Sequence, residues 1–255
     1  MLRHDFNIDV SAQTVRNVLK VAGLQAKHKI KKPSISTKNQ KKRLEFAKMH
    51  QHWTIDDWTR VNWSDETKIN RFGPDGRLWC WKSKGEGLSD RTIQPTVKHG
   101  DGSVKVCRCM IAHRVGYLNR IDGRLDAELY CKILDDELMQ TLEYSEMEKD
   151  ATIFPQDNDP KHTSRKAKKC LQDLDMRVLQ WPPQSPDLNP IEHLWDVLKR
   201  KLSSYQNPSQ GIHESWERIE EKWNEIPKEE CTAIIASMPR RIHAVLKAKG
   251  RNTKY

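Results

Sequence analysis

Three carboxylates, Asp65, Asp157 and Glu192, lie in or beside short motifs that are rich in polar side chains. Asp157 lies in the run QDNDPKHTS and Glu192 in the run QSPDLNPIEHLW, with 34 residues between the two acids. Asp65 ends the apolar-alternating run VNWSD. Carboxylates from distant parts of a chain can hold the two metal ions of a phosphoryl-transfer site. The pattern therefore indicates metal-dependent chemistry on a phosphodiester.

Each of these carboxylates is predicted at the end of a secondary-structure element. The apolar run ATIF precedes the first motif, so Asp157 is expected at the C-terminal end of a buried strand. The alternating run VNWSD predicts a second strand that ends at Asp65. A helix is predicted from residue 190 to residue 205, which places Glu192 in its first turn.

Each acid also has a plain structural explanation. Asp65 could be a solvated carboxylate at a strand end, and Asp157 could stabilise the turn that follows it. Glu192 has the best structural alternative, because Asn189 at the N-cap and Pro190 at the first helical position complete the pattern of a capping box. Taken singly, none of the three acids is identified as catalytic.

Taken together, the runs WSDET, QDNDPKHTS and SPDLNPIEHLW resemble the signature blocks of the mariner-superfamily transposases, in the Tc-one-like branch. The resemblance extends from about residue 10 to about residue 202, and the three blocks in this order are highly specific. It implies a DDE transposase that cleaves DNA at transposon ends and joins the freed 3′-hydroxyl to target DNA. It also implies an α/β fold with a ribonuclease-H-like mixed sheet flanked by helices, in which the first and fourth strands are adjacent.

The resemblance also implies roles for individual residues. Asp65, Asp157 and Glu192 would hold two Mg²⁺ ions, or Mn²⁺ in their place, with Asp65 bridging the pair. Asn158 and His162 match other motif positions and would order the site. The implied partner is double-stranded DNA, both terminal inverted repeats and target DNA, bound by a homodimer or a higher assembly. We expect such a protein in the nucleus.

The composition is that of a globular protein with an excess of positive charge. The chain has 255 residues, of which 36% are hydrophobic and 31% charged, and its net charge is +10. No run is long and apolar enough to span a membrane, and the N-terminus lacks the apolar region of a signal peptide, so we predict an intracellular protein. The six cysteines lack zinc-site or CxxC spacing, which predicts buried thiols.

The positive charge is concentrated near the N-terminus, where residues 1–64 contain thirteen Lys and Arg against five Asp and Glu. This segment predicts a polyanion partner. The run VSAQTVRNVLKVAG predicts an amphipathic helix with Ser11 as its cap and Gly23 at its end. By the resemblance it is similar to a recognition helix, and the candidate DNA-binding residues of helix and linker are Gln13, Arg16, Asn17, Lys20, Lys29, Lys31 and Lys32. Simple packing, a solvated basic face and a nuclear-import signal remain alternatives.

The predicted organisation has three parts. Residues 1–26 form a small partial helix-turn-helix, residues 27–58 a basic linker with a lead-in helix, and residues 59–255 the catalytic domain. Within that domain the predicted element order is β β β α β α β α, with a meander made of the runs VNWSD, LWCWK and VKVCRCMIA.

Two features separate this chain from the family pattern. Arg108 stands in the run VKVCRC where the family usually reads like VMVWGC, so we expect a displaced backbone or a charge placed in the core. Only ten residues precede the predicted N-terminal helix, so most of the helix-turn-helix pair is expected to be missing. The alternative function is a catalytically inactive remnant or a host-adopted DNA-binding protein, and a ribonuclease or repair nuclease of the same fold is a more distant one.

Overall fold

A computed structural model describes residues 11–25, 32, 34–71, 102–144, 148–205 and 207–255. The predicted strand LWCWK lies outside the described residues, as do Lys29 and Lys31. Contacts divide the chain into two compact units, residues Met1–Ser34 and residues Ile35–Tyr255. The predicted lead-in helix belongs to the second unit.

The first unit contains the predicted N-terminal helix, α1, at Ala12–Val21. The side chain of Ser11 accepts a hydrogen bond from the Thr14 backbone N–H at 3.1 Å, so the predicted cap is confirmed. Gly23 ends the helix in the left-handed conformation, with φ +75°. None of the residues of α1 is buried.

The second unit opens with two helices, α2 at Thr37–Met49 and α3 at Ile55–Thr59, followed by an antiparallel meander. Its strands are β1 (Trp63–Asn70), β2 (Ser103–Ile111) and β3 (Arg114–Ile121), in the order β1-β2-β3. Strand β3 was not predicted, because the run RVGYLNRI shows no regular alternation of apolar and polar residues. Here cross-strand pairing overrides the local pattern.

The remaining elements follow in the predicted order. The helix over LDAELYCKILDDELMQTLEY is present, with a π-helical turn at Leu134–Leu138 between its two α-helical parts. These elements are α4 (Ala127–Ile133), α5 (Met139–Tyr144), a 3₁₀ turn (Lys149–Ala151), β4 (Ile153–Gln156), α6 (Arg165–Asp173), β5 (Arg177–Gln180), α7 (Ile191–Leu202), α8 (Ile212–Asn224), α9 (Lys228–Ile235) and α10 (Met238–Lys247).

The meander and the parallel pair β4-β5 are joined by one parallel bridge between Val61 and Ile153. On both sides of this bridge the backbone of Ile153 is hydrogen-bonded, to the Asn62 N–H and to the Arg60 carbonyl, at 2.9 Å each. The strand order is therefore β3-β2-β1-β4-β5, and the expected neighbourhood of the first and fourth strands is confirmed.

Apolar layers cover both faces of this mixed sheet. One cluster packs strand residues such as Trp63 against α2 and α7–α10, with Trp195 and Trp223 among its fully buried side chains. The other packs Cys107 and Phe154 against α4–α6. The sheet is thus the middle layer of three, and the side chain of each strand residue faces one helical layer or the other.

The sequence predicted buried thiols, and this prediction is confirmed for three of the five cysteines in the described residues. Cys107, Cys109 and Cys231 are buried, whereas Cys131 and Cys170 are half-buried, and all five are free. In the same part of the chain, no helix is long and apolar enough to cross a membrane.

The C-terminal segment lies so close to α2 that one position excludes any side chain. Gly250 has φ +80°, and a Cβ there would lie 2.0 Å from the Gln40 carbonyl oxygen. We expect Gly250→Ala to lower the free energy of unfolding by about 2–4 kcal/mol, from left-handed strain plus the clash. Urea denaturation measures this loss.

Gly123→Ala is the matched control for this prediction. Gly123 has φ +83°, but a Cβ added there would have no atom within 4 Å, so this variant isolates the backbone strain of roughly 1–2 kcal/mol. Equal losses in the two variants would show that the contact between Gly250 and α2 contributes nothing.

Candidate active site

The register between β1 and β4 brings two of the predicted carboxylates together. Val61 pairs with Ile153 in a parallel bridge, so Asp65 and Asp157, each four residues further along, lie at the same level of the sheet. Both acids line one pocket. The prediction that Asp65 ends its strand is wrong, because β1 continues to Asn70 in full register with β2. The polar run SDETKIN forms strand through this pairing, although its composition alone does not indicate one.

Glu192, the third predicted carboxylate, is the second residue of α7. The capping box proposed for it does not form: Pro190 is the N-cap, and no side chain caps the helix. Glu192 is exposed, and its charge is near enough to Asp65 to raise the pKa of that acid. It lies outside the pocket lining, at the edge of the site.

Asp65 is the most strongly perturbed of the three acids. Burial, followed by repulsion from the Glu192 carboxylate, raises the pKa of Asp65 from 3.8 to about 8. The indole Nε1 of Trp195 donates a hydrogen bond to Asp65 Oδ2 at 3.3 Å, which opposes this rise only in part. The neutral, protonated form of Asp65 is therefore favoured at neutral pH in the metal-free site.

Asp157 is instead tied to a chain of charged side chains. The Nδ1 atom of His162 lies 2.5 Å from Asp157 Oδ1, and its Nε2 atom lies 2.9 Å from Glu66 Oε1. The other oxygen of Glu66 accepts a hydrogen bond from Lys161 Nζ at 2.8 Å. The loop after β4 is therefore anchored to β1 by a four-member ionic network.

The pKa values in this network shift together. Burial alone would lower the pKa of His162, but its bonds to Asp157 and Glu66 raise that pKa to about 9. Burial would raise the pKa values of Asp157 and Glu66, but their partners His162 and Lys161 reverse the shift, and both pKa values are lowered. His162 is therefore an imidazolium at neutral pH, between two carboxylates.

Further contacts fix the loop that carries Asp157. Asn158 donates from its side-chain amide to the Trp181 carbonyl at 2.9 Å, and Gln156 donates to the His162 carbonyl at 2.7 Å. The ring of Tyr130 stacks on His162, with 4.1 Å between centroids. The structure thus places Asn158 and His162, the two residues expected to order the site, where they hold this loop.

Two neighbouring acids, Asp159 and Asp187, are the nearest competitors for the catalytic positions. Asp159 pairs with Lys161 and turns away into its own loop, where it accepts from the Lys161 backbone N–H. Asp187 is buried and forms a two-point ion pair with Arg43, at 2.7 Å for each contact. Each of these two carboxylates is held by its own cationic partner, and neither belongs to the pocket that Asp65 and Asp157 line.

Arg108, the departure from the family pattern, lies opposite Asp65 in the β1-β2 ladder. Its side chain is buried and its guanidinium carbon lies 3.3 Å from the ring centroid of Trp223. The β2-β3 register shifts between Arg108 and Met110. The expectation of a charge in the core is confirmed, and the face of an indole ring accommodates that charge. The displaced backbone stays a prediction.

The sequence did not identify Glu66, Lys161 or Asn189 as members of the site. Glu66 follows Asp65 directly, so the alternation of a strand sends its side chain to the opposite face, towards α4–α6. That alternation was the available signal, but it is meaningful only once residue 65 is known to lie inside the strand. The partners of Glu66 are about a hundred residues away in sequence, as the 95-residue separation from Lys161 shows.

The residues present fit divalent cations. The carboxylates of Asp65 and Glu192 repel one another, and a cation between them would relieve the raised pKa of Asp65. The side-chain oxygen of Asn189 is buried at the pocket without a hydrogen-bond partner among the described residues, and it is a hard donor. No ready-made cluster of three or more His, Cys, Asp or Glu occurs in the described residues. Mg²⁺ does not need one, since it keeps several waters and takes one or two carboxylates.

The candidate DNA-binding residues of α1 occupy one exposed face. Gln13 donates to Asn17 at 2.9 Å and accepts from Arg16 at 3.4 Å, and Lys20 lies on the same face one turn further. Lys32, the described member of the basic linker, is also exposed. The polar face of α1 is thus open to a partner.

Comparisons with known proteins identify the class to which this fold and site belong. Residues 60–212, more than half of the chain, match the family described as DDE superfamily endonuclease, and residues 1–52 match a helix-turn-helix family described as Transposase. Both the Tcb1 transposase of Caenorhabditis briggsae and the Tc1 transposase of Caenorhabditis elegans are 40% identical over 245 residues, covering 96% of this chain and 88% of the relative. The chain therefore belongs to the Tc1/mariner family of transposases, as a DDE-type enzyme.

Solved structures support the same fold. A Mos1 transposase paired-end complex with the left transposon end has a TM-score of 0.82 at 20% identity, covering 99% of this chain and 78% of that one. A Mos1 paired-end complex with Mg has a TM-score of 0.81 at 20% identity, covering 99% and 78%. At this identity the likeness establishes a ribonuclease-H-like catalytic fold.

Proposed function

We propose that Asp65, Asp157 and Glu192 are the catalytic carboxylates with which this transposase cleaves DNA at transposon ends and joins the ends to target DNA. One observation carries the proposal. The β1-β4 register sets Asp65 level with Asp157, while the charge of Glu192 acts on Asp65 from the first turn of α7. Two acids from distant parts of the sequence thus line one pocket, and Glu192 lies outside that lining but near enough for its charge to act on Asp65.

Two Mg²⁺ ions, or Mn²⁺ in their place, are the cofactors we propose for this site. When bound, they supply neutralisation of the phosphoryl oxygens and activation of the attacking water or 3′-hydroxyl. Asp65, Asp157 and Glu192 are the residues that would hold these ions. Mos1 structures with Mg and with Mn support the use of divalent metal in this family.

The other residues of the site position these carboxylates. His162 holds Asp157 by one oxygen and leaves the second oxygen available, while Glu66 and Lys161 anchor His162 to β1. Trp195 fixes one oxygen of Asp65 in the same way. Because each of these two ligands has a partner that orients it, little side-chain ordering remains when substrate arrives.

The partner we propose is double-stranded DNA, bound as terminal inverted repeats and as target. Gln13, Arg16, Asn17 and Lys20 offer amide and cationic groups on one open helix face, which suits base edges and phosphates. The basic residues Lys29, Lys31 and Lys32 would follow the phosphate backbone. Two transposon ends call for at least a homodimer, and the DNA substrate calls for a nuclear location.

Substitution of the carboxylates tests the proposal. Glu192→Gln and Asp157→Ala should each reduce Mg²⁺-dependent cleavage and strand transfer on a pre-nicked transposon end by at least about a hundredfold, since each removes a charge that stabilises the transition state. Product formation is followed on gels of end-labelled DNA, in Mg²⁺ and in Mn²⁺.

Asp196→Asn is the matched control, because Asp196 is exposed on the same helix one turn beyond Glu192. It should retain cleavage. Full activity in Glu192→Gln would refute the assignment of that residue. If the unsubstituted protein were folded by circular dichroism and bound DNA, yet gave no product, the inactive-remnant alternative would replace the proposal.

A further inference from the structure

We propose that an exposed cationic face of α6, formed by Arg165, Lys168 and Lys169, binds the phosphate backbone of duplex DNA beside the active site. We call these three residues the α6 basic face. The inference rests on the proposed function only in taking DNA as the substrate. It assigns a DNA contact to the catalytic unit itself, outside the N-terminal helix and linker.

The spacing of these residues sets them on one side of the helix. Positions 165, 168 and 169 are related by three and four residues, so their side chains are neighbours on the surface of α6. All three are exposed, whereas Ala167 and Leu171 are buried in the apolar layer beneath. The helix therefore has one face committed to the core and another that carries the three cations and Gln172, with Asp173 exposed at its side four residues after Lys169.

The positive charge of this face is not neutralised within the described part of the protein. There, none of the three residues forms a salt bridge. The nearby Glu128 pairs instead with Lys166, which lies on another side of the helix, at 3.3 Å. The first turn of α6 contains no acidic residue. Cations in the first turn are opposed by the helix macrodipole, typically by 0.3–1 kcal/mol each. Helix stability therefore does not explain their presence.

The position of α6 relative to the chemistry points to the partner. The helix begins at Arg165, directly after the loop that carries Asp157, and Ser164 caps it by accepting from the Ala167 backbone N–H. The same loop is fastened to β1 through His162 and Lys161. The α6 basic face is thus held at a fixed distance from the carboxylates by short, well-bonded chain.

The length of the face suits a nucleic-acid backbone. Four residues of helix rise about 6 Å, so the cations from Arg165 to Lys169 cover a span over which duplex DNA presents several negative charges. A DNA duplex whose scissile phosphate lies at Asp65 and Asp157 must continue past the edge of the sheet for further turns. A cationic surface beside that edge would neutralise the next phosphates and fix the direction of the duplex.

The test measures the salt dependence of DNA binding. A variant with Arg165→Gln, Lys168→Gln and Lys169→Gln is compared with the unsubstituted chain, in buffer without divalent metal and in the Asp157→Ala background so that no DNA is cleaved. The slope of log K against log salt should fall by about 2–3, since each phosphate contact contributes about 0.9. Separate arms with transposon-end duplex and with unrelated target duplex show which DNA uses the face.

The control removes the same charge elsewhere. Lys228→Gln, Arg240→Gln and Lys247→Gln change three exposed cations on α9 and α10, helices that contribute nothing to the pocket lining. This control should leave the slope within about one unit of its original value. An unchanged slope in the α6 variant, or an equal fall in the control, would overturn the proposal, provided that melting temperatures show both variants folded.

The proposed function and this inference fail independently. The catalytic assignment is decided by product formation in the Glu192 and Asp157 variants, whereas the α6 basic face is decided by binding without catalysis. If the α6 variant kept the original slope of log K against log salt while the carboxylate variants lost cleavage, only the inference about the α6 basic face would be refuted. A reduced slope in the α6 variant together with normal cleavage in Glu192→Gln would remove only the catalytic assignment.

Discussion

Asp65→Asn is expected to stabilise the metal-free protein at neutral pH while abolishing metal-dependent cleavage. Burial and the Glu192 carboxylate raise the pKa of Asp65 from 3.8 to about 8 in the folded state. The folded protein therefore binds this proton more tightly than the unfolded chain does. Ionising Asp65 in the folded state costs free energy, and the amide variant avoids that cost.

The sign of the pH dependence follows from proton linkage. Between about pH 4 and pH 8 the folded state holds a proton at Asp65 that the unfolded state has lost, so stability falls as pH rises through this window. The slope from this group is at most about 1.4 kcal/mol per pH unit, and the accumulated cost at pH 7 is at most roughly 4 kcal/mol. Below pH 4 the group contributes no difference, and above pH 8 the difference is constant.

The measurement is the free energy of unfolding in urea from pH 4 to pH 9, with EDTA and with Mg²⁺. Asp65→Asn should flatten the fall in stability with pH, and it should lose most of the stabilisation that Mg²⁺ gives to the unsubstituted protein. An Asp65→Asn variant that is less stable at every pH would contradict this account of the site.

Asp157→Asn is the matched control, because it should shift stability in the opposite direction. His162 lowers the pKa of Asp157 against the effect of burial. Its charge therefore stabilises the fold above the unfolded pKa, and this contribution is lost as pH falls through the lower folded pKa. Replacing Asp157 by Asn should thus reduce stability at neutral pH, although both variants remove one negative charge from the same pocket.

Arg43→Met is expected to have the largest effect on stability, about 3–5 kcal/mol, because it leaves a buried carboxylate without its partner. Arg43 is fully buried and forms a two-point ion pair with Asp187. It also donates to the carbonyl oxygens of Gln184, Gly250 and Arg251. One side chain thus joins α2, the loop before α7 and the C-terminal segment.

The same variant should impair catalysis at temperatures where it is still folded. Arg43 and Asp187 fix the loop from Gln184 to Asn189, which leads into the first turn of α7 and so sets the position of Glu192. Urea denaturation gives the stability loss, and cleavage well below the melting temperature gives the catalytic loss. The double variant Arg43→Met, Asp187→Leu should recover part of the stability, since no unpaired charge remains buried.

Arg120→Met provides the control for this prediction. Arg120 pairs with Asp122 at 2.8 Å, but these side chains are 33% and 75% exposed. An exposed pair of this kind contributes about 0–1 kcal/mol. If Arg43→Met and Arg120→Met had similar small effects, the buried network would not hold the loop before α7.

The elements that the sequence predicted correctly are those whose signals are local. The Ser11 cap and the Gly23 terminus of α1 depend on contacts within a few residues, and so does the long helical pattern that became α4 and α5. The three signature blocks are short contiguous runs, so they indicate the family without any tertiary contact. The neighbourhood of the first and fourth strands was expected from that resemblance, not from periodicity.

The elements that it missed depend on pairing between distant segments. Strand β3 and the second half of β1 have poor local patterns, and both form because they complete the ladders of β2. The capping box that was the structural alternative for Glu192 does not form, because Pro190 takes the cap position and Asn189 lines the pocket. The local sequence predicted the start of α7 to within a residue or two, but the residue at its N-cap differs in the folded protein.

By itself, the sequence determined which family the chain belongs to, which three acids to consider and which N-terminal helix is amphipathic. Only the tertiary structure decided that Asp65 lies within its strand at the level of Asp157, and that Glu66 and Lys161 join the site. The physical reason is that ion pairs and strand registers join residues about a hundred positions apart. Such contacts leave no periodic trace in the chain, and they exist only after the sheet has formed.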